Sequence, residues 1–148
     1  MKIFYIDPDV GAREGSYGYY DNIVRAISNR LSAVNDTEKA NVILVHGRGY
    51  TTSVDDLIEQ TGVTPDLICF GYGMTNIFRG AVKHQETTIN GIQDCGIPKA
   101  MFLNKEYAGS LPAKLDYMNE LGIDIGFSYH HDYKQFEKIT GIPFEFLP

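Results

Sequence analysis

The sequence contains no block of lysine or arginine, no tryptophan and only two cysteines in 148 residues. Thirteen basic residues against nineteen acidic ones leave a formal net charge of −6. Such a surface repels phosphate backbones, so nucleic acid is not an expected partner. Cys69 and Cys95 each sit in an apolar run, outside any Cys-x-x-Cys or Cys/His ligand spacing. Both read as buried thiols of a reducing, cytoplasmic compartment. The opening MKIFYIDPD is too short an apolar run for a secretory signal, and no stretch approaches the roughly 20 apolar residues of a membrane span. No linker, repeat or low-complexity segment divides the chain, and its length suits one domain covering residues 1–148.

What is present is a rhythm of short apolar runs. They fall at Ile3–Ile6, Val42–Val45, Leu67–Phe70, Lys99–Leu103, Ile123–Phe127 and Phe144–Leu147. They are continuous rather than alternating, as in strands covered on both faces of a parallel sheet. Tyr20, Ile23, Val24, Ile27, Leu31 and Val34 form the clearest helical stripe between them. Ser53 with Asp56 predicts a capped helix ending before Gly62, Ser110 with Pro112 starts another that stops at Gly122, and Asp132 can cap a last one closed by Gly141. Residues 76–94 read as helix with a break at the glycines. Strands alternating with helices predict an α/β fold: a doubly wound, three-layer, Rossmann-like domain with a mainly parallel sheet of about six strands. The expected order is 3-2-1-4-5 with the sixth strand at an edge.

In such sheets ligands bind beyond the carboxyl ends of the strands, and here the residues following each strand are polar. The first loop places Gly11, Gly15 and Gly18, with Ser16, ahead of the long helical stripe, where free N–H groups suit an anion or where glycines simply clear the sheet. Its spacing is neither a dinucleotide fingerprint nor a P-loop, so no nucleotide cofactor is expected. His46 and Arg48 follow the second strand, where Arg48 could grip a carboxylate or phosphate or the pair be incidental charge on an exposed loop; Gly71 and Gly73 follow the third and permit close backbone approach or serve packing alone. Asn104, Lys105, Glu106 and Tyr107 follow the fourth, with Glu106 a candidate general base and Lys105 a charge stabiliser, or the two a surface ion pair.

His130, His131 and Asp132 follow the fifth strand. His130 is a second candidate base, and His131 a candidate ligand contact. Adjacent residues at a strand end point to opposite sides, so at most one imidazole is expected to face the cleft. Without a His-x-x-x-His spacing, no metal site is expected from the pair.

The segments PDLICFGYG, GIPKAMFLNKEY and KLDYMNELGIDIGFSYHHDYKQFEKITGIPFEFLP, in that order and spacing, resemble the N-terminal domain of GT-B glycosyltransferases, particularly family 4 and the related CgeB-like proteins. The resemblance covers roughly the last eighty residues. It implies a half-domain that holds a sugar or glycan acceptor, with nucleotide-sugar bound only through a C-terminal partner, either another chain or a part beyond Pro148. Many members carry His-Asp after the fourth strand; Asn104 and Lys105 stand there instead, so that histidine has no counterpart. A homodimer is a further expectation, since a sheet without its second domain exposes a flank. From a different class comes the reading of a flavodoxin-like, non-catalytic binding or regulatory module for a small anionic ligand or a protein partner. A receiver domain is disfavoured, because the strand LICFGYG ends without an aspartate.

Overall fold

The structure is a computed structural model that describes residues 1–7, 41–46, 50–71, 74, 87–103 and 111–147. Among the described residues six strands build the main sheet: β1 (Lys2–Asp7), β2 (Asn41–His46), β4 (Leu67–Phe70), β6 (Lys99–Phe102), β7 (Ile125–Ser128) and β8 (Phe144–Phe146). Two more, β3 (Tyr50–Ser53) and β5 (Thr87–Asn90), pair separately. Every described pairing is parallel. The fold is thus α/β with a parallel main sheet, and the six apolar runs become its six strands to within a few residues.

The order across the sheet is β2-β1-β4-β6-β7-β8. This corrects the expected 3-2-1-4-5. The third main-sheet strand adds beside β1, with Ile3 opposite Leu67 and Ile6 opposite Phe70, rather than outside β2. Hydrophobicity marks a strand without naming its neighbour. The result is the 2-1-3-4-5 winding, whose switch point lies between the carboxyl ends of β1 and β4. There the Gly71 N–H donates to the Ile6 carbonyl (2.8 Å).

Two further readings need correction. Residues 87–90 form β5 and 91–94 a turn, not helix, and the TYR-THR-THR stretch from Tyr50, read as loop, is β3. In both segments β-branched threonines outweigh the turn signals around them.

Three helices are described, α1 (Val54–Thr61), α2 (Leu111–Glu120) and α3 (Tyr133–Thr140). At α1 the expected capping box is complete: the Asp56 N–H donates to Ser53 Oγ (3.0 Å) and the Ser53 N–H to Asp56 Oδ2 (3.1 Å). Its far end closes on Gly62 at φ +64°, a left-handed conformation that a side chain disfavours.

Both sheet faces are buried. Phe4, Ile6, Ile68, Phe70 and Met101 pack with Leu57 of α1, Leu115 and Met118 of α2 and Phe136 of α3. Ile3, Tyr5, Cys69, Ala100 and Phe102 form a second cluster on the reverse face. Residues 20–34, the expected long helix, lie outside the described residues. Cys69 is buried as expected, whereas Cys95 is only half-buried in the turn before β6. Among the described residues no helix is long and apolar enough to cross a membrane.

Candidate functional site

Parallel strands bring all their carboxyl ends to one edge, and α2 and α3 start from that edge after β6 and β7. Among the described residues, a hydrogen-bonded polar group follows β7 at that edge. Ser128, the last residue of the strand, is fully buried, and its Oγ accepts the backbone N–H of His130 (3.0 Å). His130 Nδ1 in turn accepts the backbone N–H of Asp132 (3.0 Å). The Tyr133 N–H then donates to the His130 carbonyl (3.2 Å) and the Gln135 N–H to that of Asp132 (2.8 Å). Side chains at alternate positions therefore wind the chain from strand into helix.

This winding overturns the expectation that the two imidazoles diverge. His130 and His131 lie in bend and turn, where strand alternation no longer operates, and their ring centroids stack 4.2 Å apart. Their environments differ sharply: the His130 side chain is 16% exposed and that of His131 81%. His130 also faces the Phe136 ring at 6.2 Å.

Asp132 departs from its expected role as well. It occupies the N-cap position of α3 but makes no side-chain cap hydrogen bond. Its carboxylate turns instead to the imidazoles, with Oδ2 3.4 Å from His131 Nε2 and 4.0 Å from His130 Nδ1.

Because Nδ1 of His130 accepts an N–H, the proton of the neutral ring sits on Nε2. In that tautomer the imidazole offers a donor. Taking up a proton at Nδ1 would break the bond to Asp132, so a base role carries a structural cost that a donor role does not.

A residue that sequence reading passed over is Lys114, in the first turn of α2. It is 1% exposed, more deeply buried than any other charged side chain described. The signal was available: position 114 lies three after Leu111 and four before Met118, on the helix's apolar stripe, where a lysine is out of pattern. Lysines are almost never fully buried unless paired, and Lys114 is not without a partner.

Of the remaining candidates, His46 ends β2, its backbone in register with Asp7 of β1 at the same edge. Gly15, Ser16, Arg48, Gly73, Asn104, Lys105 and Glu106 lie outside the described residues. A cavity of about 310 Å³ opens at the opposite edge, where Asp94, Pro98, Lys99 and Asp124 line it. Buried Lys99 there donates through Nζ to the Ile97 carbonyl (3.2 Å), and Asp124 Oδ2 accepts the Lys99 N–H (2.7 Å). The bond to Asp124 ties β6 to the chain entering β7, and strand amino ends are not where such sheets bind ligands. We therefore place the candidate site at the carboxyl edge.

Comparison with protein-family models, with curated proteins and with solved structures finds no match.

Proposed function

We propose that this chain is the acceptor-binding half of a GT-B-type glycosyltransferase, holding a sugar or glycan in the mouth at the carboxyl ends of its strands. Transfer would require a C-terminal half that carries the nucleotide-sugar donor. The observation that carries this reading is the course of the last eighty residues. The resembling segments fold, in order, as β4, β6, α2, β7, α3 and β8, and the chain passes the mouth twice, at the starts of α2 and α3. Lys114 and the Ser128–His130–Asp132 chain of hydrogen bonds fall at those two passages. A sugar hydroxyl accepting from His130 Nε2 and packed near aromatic residues matches that mixture of donors and rings. A cytoplasmic setting suits the reading, since nucleotide-sugars are polar intracellular metabolites.

A second reading draws on the strand order. The 2-1-3-4-5 winding is that of flavodoxin-like proteins, which favours a binding or regulatory module for a small anionic ligand at the β1/β4 switch point.

A thermal-shift screen of free sugars, nucleotides and nucleotide-sugars separates the two. Stabilisation by sugars without nucleotides is expected, because a ligand bound only by the folded state raises its stability with concentration. Selective stabilisation by nucleotides or other small anions would overturn the acceptor assignment in favour of the second reading.

A further inference from the structure

His131 is the most exposed side chain of the group after β7, yet it is drawn towards a carboxylate that has forgone its helix cap. Neither the hydrogen bonds that wind the turn nor the start of α3 require that arrangement. We propose that His130, His131 and Asp132 form a binding site for a divalent transition-metal ion of the Zn2+ class. The site is independent of the sugar reading.

The donor set is two imidazole nitrogens and one carboxylate oxygen, which suits a borderline cation rather than the hard, all-oxygen preference of Mg2+ or Ca2+. One potential ligand atom from each residue lies within 4.8 Å of the others. Two ligands at zinc distances and near-tetrahedral angles stand about 3.3 Å apart. The His131 Nε2 to Asp132 Oδ2 separation is already 3.4 Å, and His130 Nδ1 stands 4.0 Å from the same oxygen. Side-chain rotation that draws the two imidazole nitrogens, within 4.8 Å of each other, towards the same point completes the set.

Nδ1 of His130 carries a lone pair, now directed at the Asp132 N–H, and a metal would take that lone pair in exchange for the hydrogen bond. Three protein ligands on one side leave the remaining positions towards solvent, since His131 and Asp132 are 81% and 46% exposed at their side chains. A bound ion would thus stand at the sheet mouth with room for water or for an anionic oxygen of a ligand.

The test is calorimetric titration of Zn2+ into the full, tag-free chain after chelator dialysis, for the wild type and the variants H131A, D132N and H84A. The expected result is one ion per chain, affinity lowered on the order of tenfold or more in both H131A and D132N, and no change in H84A. Circular dichroism of the metal-free variants checks folding, which H131A should leave intact because that side chain is exposed. No saturable uptake by the wild type, a smaller loss in H131A, or an equal loss in H84A would overturn the site.

Discussion

Gly126 of β7 stands directly opposite Phe144 of β8, and the Phe144 ring fills the space that a side chain on Gly126 would need. A Cβ at position 126 would collide with Cε1, Cζ and Cδ1 of that ring. The pair ends a row that runs Ile6, Phe70, Met101, Gly126, Phe144 across five strands on one face. The ring is fully buried and meets Phe136 of α3 edge-on, with centroids 5.6 Å apart. Overpacking such a site costs about 1–3 kcal/mol. G126A is therefore expected to lower the unfolding free energy, read from urea titration, by that amount, and G126A/F144L to recover part of it. Additive losses in the double variant would mean that the ring is not what excludes a side chain.

The two nitrogens of His130 can be tested apart. Asn at 130 places its carbonyl near the Nδ1 position, so H130N is expected to keep the bond to the Asp132 N–H and the unfolding temperature while losing the donor at Nε2. H130Q reaches the Nε2 position but gives up the turn. On the acceptor reading, H130N sharply reduces the thermal shift caused by sugars, and H130Q lowers the ligand-free midpoint. A sugar-dependent shift that H130N leaves intact would remove His130 from the binding surface.

Alkaline stability follows from two buried acids. Burial pushes the Cys69 thiol from an ordinary 9.0 up to about 12, and burial together with the nearby charge of Glu120 pushes the Tyr117 phenol from 10.0 up to about 12. Both groups favour their protonated form in the folded chain. Above pH 9 the unfolded chain releases protons that the folded chain retains, so this stabilisation is complete below pH 9 and is lost as the pH rises towards 12. Each group adds a slope of up to about 1.4 kcal/mol per pH unit. Urea midpoints measured from pH 8 to 11 should fall, and C69A should fall less steeply between pH 9 and 10. Identical slopes for the two proteins would contradict the burial of that thiol.

The thiols should also differ in reactivity. Cys69 is 3% exposed within the reverse-face cluster, whereas Cys95 is half-buried, with its Sγ 3.9 Å from the Ile97 carbonyl. Only the thiolate attacks alkylating reagents, and it must reach them. Iodoacetamide at pH 8 is expected to modify Cys95 in the native chain and Cys69 only after denaturation, read by peptide mass spectrometry. Equal labelling of both without denaturant would show that the sheet opens at β4.

The strands were legible because sheet residues buried on both faces leave uninterrupted apolar runs, of which Leu67–Phe70 is typical. The capped helix at Ser53 was legible because its signals are local. What failed is what depends on distant partners. Nothing within Leu67–Phe70 tells whether it joins β1 or lies outside β2, and the threonines of Tyr50–Ser53 and Thr87–Asn90 become strands only by finding each other. The divergence expected of His130 and His131 failed because the strand ends two residues before the pair, at Ser128. Lys114 was missed through reading the apolar stripe for its members rather than for its exception.

The same strand order bears on how the chain acquires its structure. β1 precedes the other described strands along the sequence, yet it lies inside the sheet and needs β4 for its second neighbour, so Ile3 waits for Leu67. The strands from Lys99 onward instead each lie beside their predecessor, out to Phe144 packed over Gly126. Short-range pairings form faster than distant ones. The carboxyl-terminal half, which carries the His130 turn, can therefore zip up as a growing edge while the amino-terminal strand is still awaiting its long-range partner.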